Sequence, residues 1–234
     1  MAAQLVLWDI DGTLMRAGAI AGQAFARAVA SVLERAEHEV ELVPMAGKTD
    51  PQIAREILVL AALEEAEVDG HVPAVIAQLE AELGAAEEML RENGRVLPGV
   101  RELLQELRDD PGVVQTVLTG NTAANARAKL DAFDITAFFD LDVAAFGSDD
   151  ADRRNLVPIA LERARDIRGI SVAPDEAWVI GDTAHDLACA RAAGVRCILV
   201  ATGQPSLEEL LPLDADAVLA DLSDVDAVLA LLRS

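Results

Sequence analysis

Two aspartates two residues apart, Asp9 and Asp11, end the apolar segment LVLW and are followed by Gly12 and Thr13. In an extended segment such residues point the same way, so both carboxylates reach one small site, and the glycine lets the chain turn behind them. The same motif also serves as a turn carrying two solvated aspartates. A calcium loop fits less well, because counting Asp9 as position one puts Ile20 where that loop needs a bidentate glutamate. Further along, VLTGN sets Thr119, Gly120 and Asn121 after another apolar run, and VIGDTAHD sets Asp182, Thr183 and Asp186 after a third. The first group offers neutral donors suited to an anion, although Asn121 or Thr122 also reads as a helix cap, as does Thr183. In the second, Asp182 and Asp186 at helical spacing can face a cation. Asp182 beside Asp9 and Asp11 makes a cluster of hard oxygen ligands suited to Mg²⁺, which takes a few carboxylates together with waters and a substrate phosphate.

The elements that must position these residues follow from the apolar pattern. Short runs at 5–8, 113–118, 141–145, 177–180, 196–200 and 217–219 are continuously apolar and are separated by helical patterns. Continuous apolarity marks strands covered on both faces, and intervening helices are the crossovers a parallel sheet requires. The pattern predicts an α/β fold, a Rossmann-like parallel sheet core with helices on both faces, whose ligands bind beyond the carboxyl ends of the strands. Between Arg16 and Asn93 the strand signal vanishes and Ala, Glu and Leu recur at helical spacing. This predicts an all-helical insertion after the first strand, with residues 16–94 as one domain and 1–15 together with 95–234 as the other. Within it, Asp50 reads as the N-cap of a helix whose first position is Pro51, just after the loop GKTD.

Composition narrows the partners. The chain of 234 residues is 52% hydrophobic but only 3% aromatic, so its core is aliphatic. Its formal charge of −22 repels the phosphate backbone of nucleic acids, which argues against DNA or RNA as a partner. A small anionic substrate then needs a local cationic patch. Cys189 and Cys197 lack metal-ligand spacing and read as buried thiols in a reducing compartment. No apolar stretch is long enough to span a membrane, and no basic segment precedes a signal-like run; both features predict a cytoplasmic protein.

Taken together, LVLWDIDGT, VLTGN and VIGDTAHD resemble the motifs of the haloacid dehalogenase-like superfamily over essentially the whole chain. The position of the helical insertion and the LPGV at its return resemble the phosphoglycolate phosphatase-like branch, where such an insertion is a cap. The resemblance implies that Asp9 is the nucleophile forming an aspartyl-phosphate, and that Asp11 is the acid for the leaving oxygen and then the base for water. Asp9, the Asp11 backbone carbonyl and Asp182 would hold Mg²⁺, with Asp186 supporting them. Thr119 and Gly120, with Asn121 beside them, would bind the phosphoryl oxygens. The family also places a Lys or Arg after the third strand, often as Lys-Pro; this chain has ADRRNLVP instead, so Arg153 or Arg154 takes the role, Arg153 aligning better with Pro158. Lys129 is a third candidate, though it reads more simply as a solvated surface lysine. Arg16 and Lys48 complete the cationic patch. GKTD is similar to the cap loop that reaches into the site in phosphatase and sugar-phosphate mutase members, which makes Lys48 a candidate for substrate selectivity; it also reads as an ordinary loop lysine.

These residues predict a Mg²⁺-dependent phosphatase acting on a small phosphorylated metabolite, as a monomer or homodimer. A phosphomutase with the same chemistry is the alternative. The dehalogenase branch lacks the second carboxylate, so Asp11 argues against it. A phosphonatase would need a Schiff-base lysine that the context of Lys48 does not support, and a non-catalytic binding protein would not need the acid pair.

Overall fold

The computed structural model describes residues 4–234. Six parallel strands form one sheet: β1 (Gln4–Trp8), β4 (Val113–Thr119), β5 (Ala145–Phe146), β6 (Ala177–Gly181), β7 (Arg196–Val200) and β8 (Ala217–Leu219), in the order β5-β4-β1-β6-β7-β8. Two short strands, β2 (Met15–Arg16) and β3 (Arg95–Val96), form a separate antiparallel ribbon. The helices are α1 (Ile20–Val32), α2 (Asp50–Leu60), α3 (Glu65–Gly84), α4 (Glu87–Asn93), α5 (Val100–Arg108), α6 (Ala123–Ala132), α7 (Leu156–Arg168), α8 (Ala184–Ala193), α9 (Leu207–Leu210) and α10 (Val225–Leu232).

The continuous apolarity of the strands has the cause the sequence implies. Along β1, Leu5 and Leu7 face one side and pack with Leu156, Val157 and Ala160 of α7 and Ala190 of α8. Val6 and Trp8 face the other and join Leu103 and Leu104 of α5, Leu130 of α6 and Leu232 of α10. Both faces are dry, and each such aliphatic side chain contributes roughly 1.5–3 kcal/mol by leaving water. The second core runs on without a break into Phe25, Ile57 and Leu79 of the helical insertion.

Strand order reverses at β1, which lies between β4 and β6, so the loops after these three strands open beside one another at a switch point. This adjacency gathers Asp9, Thr119 and Asp182, which are far apart in sequence.

Two expectations about local structure are corrected. The apolar run at 141–145 is not a strand: Val143 N donates to Asp140 O and Ala144 N to Leu141 O, so turns consume the run and only Ala145–Phe146 pairs with β4. The N-cap of α2 is Thr49, whose hydroxyl accepts from Gln52 N at 3.3 Å, and Asp50 is the first helical residue, with its carboxylate turned into the protein. Helices α1 to α4 account for the insertion, but the β2–β3 ribbon at its two ends escaped the sequence, since pairs as short as Met15↔Val96 and Arg16↔Arg95 leave no periodic signal.

Candidate active site

A cavity of about 610 Å³ opens at the switch point, lined by Asp9, Asp11, Thr119, Gly120, Asn121, Arg153 and Asp182 from the sheet side and by Phe25, Met45, Lys48, Asp50 and Ile53 from the insertion. Within the net charge of −22, this lining brings five cations, Arg16, Lys48, Arg95, Lys129 and Arg153, against four carboxylates.

The turn that presents Asp9 and Asp11 is held by its own backbone: Leu14 N donates to Ile10 O at 2.9 Å and Gly12 N to Met15 O at 2.8 Å. The two acids have different partners. Asp9 is buried, and its Oδ1 accepts from Arg153 Nη2 at 2.8 Å. Asp11 is more open, and its Oδ2 accepts from Lys129 Nζ at 2.5 Å and from Asn121 Nδ2 at 2.8 Å.

Arg153 and Arg154 diverge. Asp152 caps the short turn at Arg153–Asn155, which sends the Arg153 side chain inward to Asp9, Asp186 and Gly47 O. Burial opposes its charge, but Asp186 and Asp9 hold the guanidinium protonated above its ordinary range. Buried Cys189 steadies the turn by donating its thiol to Arg153 O at 2.9 Å. Arg154 points outward and pairs with Asp152, so the structure does not bring it to the cavity.

Lys129 is no surface lysine. It is 3% exposed, and its ammonium lies between Asp11 and Asn121 Oδ1. The sequence held a signal for this: Thr122, Asn125, Ala126, Lys129, Leu130 and Phe133 fall on one helical face, so Lys129 sits within a buried stripe. Lys48 lines the cavity but is held aside by Glu56, which Gln52 Nε2 also contacts at 3.0 Å. Arg16 serves a loop: it donates to Thr202 O and Gly203 O, tying the β2–β3 ribbon to the segment after β7.

Thr119 is fully buried and its hydroxyl accepts from Asn121 Nδ2 at 2.8 Å, while Thr122 caps α6 by accepting from Asn125 N at 3.3 Å. After β6, Thr183 caps α8 by accepting from His185 N at 3.2 Å, and Asp186 Oδ2 accepts from Thr183 N at 3.0 Å.

Asp9, Asp182 and Asp186 each place a carboxylate oxygen within 4.8 Å of the others. Both Asp186 oxygens are engaged, one by Arg153 and one by Thr183. Among the described residues, no hydrogen bond or ion pair reaches the Asp182 carboxylate. Burial, and then the nearby charges of Asp9 and Asp186, push its carboxyl up to about 9. Burial is also the main reason that the Asp9 carboxyl rises to about 7, against the pull of Arg153. The walls around Asp182 are glycine: a Cβ on Gly12 would come within 2.4 Å of its Oδ2, and one on Gly203 within 1.5 Å. An uncompensated carboxylate, seated between two glycines and facing a cavity, fits a hard divalent cation.

A doubly wound α/β fold with acids and anion-suited donors gathered at its switch point defines the class of this protein. The chain belongs to the haloacid dehalogenase-like hydrolases, whose family pattern matches residues 6–200. It is 29% identical over 231 residues to a protein named "Probable phosphatase IndB" from Dickeya dadantii, covering 98% of this chain and 95% of that one. It is also 29% identical over 134 residues to a phosphoglycolate phosphatase from Pseudomonas putida, covering 57% of this chain and 46% of the relative. A solved structure described as a predicted phosphoglycolate phosphatase from Haemophilus somnus superposes with a TM-score of 0.69 at 18% identity, covering 97% of this chain and 98% of that one. Among the described residues, no helix is long and apolar enough to cross a membrane.

The crowding at Asp182 has a consequence for stability. An acid whose folded pKa lies above its ordinary value of 3.8 binds its proton more tightly in the folded chain, so it costs stability increasingly as pH rises from about 4 towards about 9. In a chelator, Asp182→Asn should therefore melt at a higher temperature than the unaltered protein, and the gap should widen between about pH 5 and about pH 8. Added Mg²⁺ should raise the melting temperature of the unaltered protein far more than that of the variant. A variant that melts lower than the parent at about pH 8 would contradict the crowding.

Proposed function

We propose that this hydrolase is a Mg²⁺-dependent phosphatase of the phosphoglycolate phosphatase-like kind, acting on a small phosphomonoester through an aspartyl-phosphate. The observation that carries the reading is the separation of the two acids: Asp9 is held at one oxygen by Arg153, while Asp11, two residues on, is held by Lys129 and Asn121. The names borne by the relatives point the same way.

In this reading Arg153 fixes Asp9 Oδ1, and the other oxygen attacks phosphorus as the bond to the leaving oxygen breaks. Asp11 gives that oxygen a proton. It then takes a proton from water as the water attacks phosphorus, which frees Asp9 and releases inorganic phosphate. Thr119 and the Gly120 amide, whose residues line the cavity, would bind the transferring oxygens and stabilise their developing charge. Asp9, the Asp11 carbonyl and Asp182 would hold Mg²⁺, with Asp186 fixing Arg153 beside them; the ion would supply Lewis-acid stabilisation of the phosphoryl charge. Residues 16–94 act as a cap over a core of 1–15 and 95–234, and Lys48 on that cap meets the part of the substrate beyond the phosphate. The enzyme works in the cytoplasm on a phosphorylated metabolite.

With Mg²⁺ and an aryl phosphate, Asp9→Asn should lower turnover by about a thousandfold or more while the chain stays folded. Full turnover by that variant would remove Asp9 from the nucleophile's role. A screen of phosphorylated metabolites, phosphoglycolate and sugar phosphates included, should show inorganic phosphate released to water; transfer to another position of a sugar phosphate would favour the mutase instead.

The two arginines should separate cleanly in the same assay. Arg153→Ala strips a buried partner from both Asp9 and Asp186, a loss of about 3–5 kcal/mol for such groups, and should abolish activity. Arg154→Ala removes an exposed pair and should leave kcat/KM within about twofold. Equal losses would place the phosphate-facing cation elsewhere.

A further inference from the structure

Asp50 is the least expected buried acid in the protein. It belongs to the insertion, yet it is 6% exposed and makes its contacts with the sheet side of the cavity. Its backbone N donates to Gly120 O at 2.7 Å, and its carboxylate Oδ2 accepts from Thr122 N at 2.9 Å and from Asn125 Nδ2 at 2.7 Å. A single residue thus grips both ends of the stretch 120–122, giving a hydrogen bond to one peptide and taking one from the next. Burial raises its carboxyl above the ordinary range, while Lys129, Asn125 and Thr122 favour its charge.

The neighbouring loop is seated equally closely. Thr49 Oγ1 donates to Ala151 O at 2.8 Å, and Arg153 Nη1 donates to Gly47 O at 3.2 Å. A Cβ on Gly120 would lie 2.1 Å from Lys48 O, so the loop crosses the Thr119–Asn121 turn at backbone contact. The insertion therefore touches the ends of both β4 and β5 through residues 47–50.

We propose that Asp50 is a positioning residue for the phosphoryl site: by clamping residues 120–122 from the insertion, it makes the phosphate-facing geometry of the core depend on the insertion's loop being seated. The proposal rests on the phosphatase reading and deepens it. The stretch from Thr119 to Thr122 needs a fixed element to hold it, because an error of an ångström in aimed donors costs catalysis heavily. The clamp provides that element, and it forms only when the loop is docked.

The test compares the full-length protein with Asp50→Ala, Asp50→Asn and Asn125→Ala, measuring kcat and KM for an aryl phosphate with Mg²⁺ and the affinity for inorganic phosphate. Asp50→Ala should lower kcat and weaken phosphate binding, each by roughly ten- to a hundredfold. Asp50→Asn keeps an oxygen that can accept from Thr122 N and should recover most of both. Asn125→Ala removes one of the two donors and should give an intermediate loss of phosphate affinity. A residue that merely pinned α2 would lower the melting temperature in all three and leave phosphate affinity unchanged, and that result overturns the proposal. If Asp50→Ala does not fold, unchanged phosphate affinity in Asn125→Ala overturns it just as well. Should the unaltered protein bind phosphate yet hydrolyse no ester, the phosphatase reading fails while phosphate affinity still decides the role of Asp50. Should it bind no phosphate, both fail.

Discussion

The structure is organised around a concentration of like charge. Asp9, Asp182 and Asp186 bring three carboxylates within 4.8 Å in a buried place, and one guanidinium, Arg153, answers them. Two negative charges are left over. In the function we propose, a dication makes up the difference, but the protein must fold before any ion is bound, and it tolerates the crowding by leaving Asp182 reluctant to ionise. Stability is given up where activity needs it, as is common at active sites.

Much of the surrounding architecture can be read as a response to that crowding. The dry sheet supplies rigid mounts, because Leu5, Val6, Leu7 and Trp8 are fully buried in two opposed cores and cannot yield to the repulsion at their end. Arg16 holds the segment of Thr202 and Gly203 in place, and Thr202 Oγ1 donates to Gly12 O at 2.6 Å, so the two glycines beside Asp182 are fixed to each other. Asp186, tied at one oxygen to Thr183 and at the other to Arg153, transmits the position of α8 to the guanidinium that holds Asp9. Together these contacts tie the β2–β3 ribbon, the β1 turn and α8 to the cavity and give the site its definition.

The parts legible in the sequence were those with a period or a motif behind them. Parallel strands declare themselves by unbroken apolarity, and Asp9, Asp11, Thr119 and Asp182 by falling after successive strands. What escaped were contacts made across the fold. Asp50 reads as a helix cap because Asp-Pro at a helix start is a local signal, whereas its carboxylate is drawn inward by Thr122 and Asn125, more than seventy residues away in the chain. Lys129 reads as a surface lysine because the residue type usually is one; its place in the buried stripe of α6 is a local signal, but the carboxylate that makes burial bearable comes from the loop after β1. Arg153 and Arg154 are chemically alike; the spacing to Pro158 favours Arg153, and the turn capped by Asp152 is what sends its side chain inward.

The same logic separates the roles of the two leading aspartates. Side by side in one extended segment, they would be chemically alike if the site treated them alike. It does not, since one is buried and meets a rigid planar guanidinium shared with another carboxylate, while the other is more open and meets a single ammonium and an amide. A fork of donors suits a group that must present one oxygen along a fixed line. A point charge on a flexible stem suits one that must stay near a leaving oxygen and still exchange a proton with water. Arg153 precedes α7, which covers the Leu5 and Leu7 face of β1, and Lys129 lies on α6, which covers the Val6 and Trp8 face, so the division of labour within the DxD motif follows from the two helical layers of the sheet.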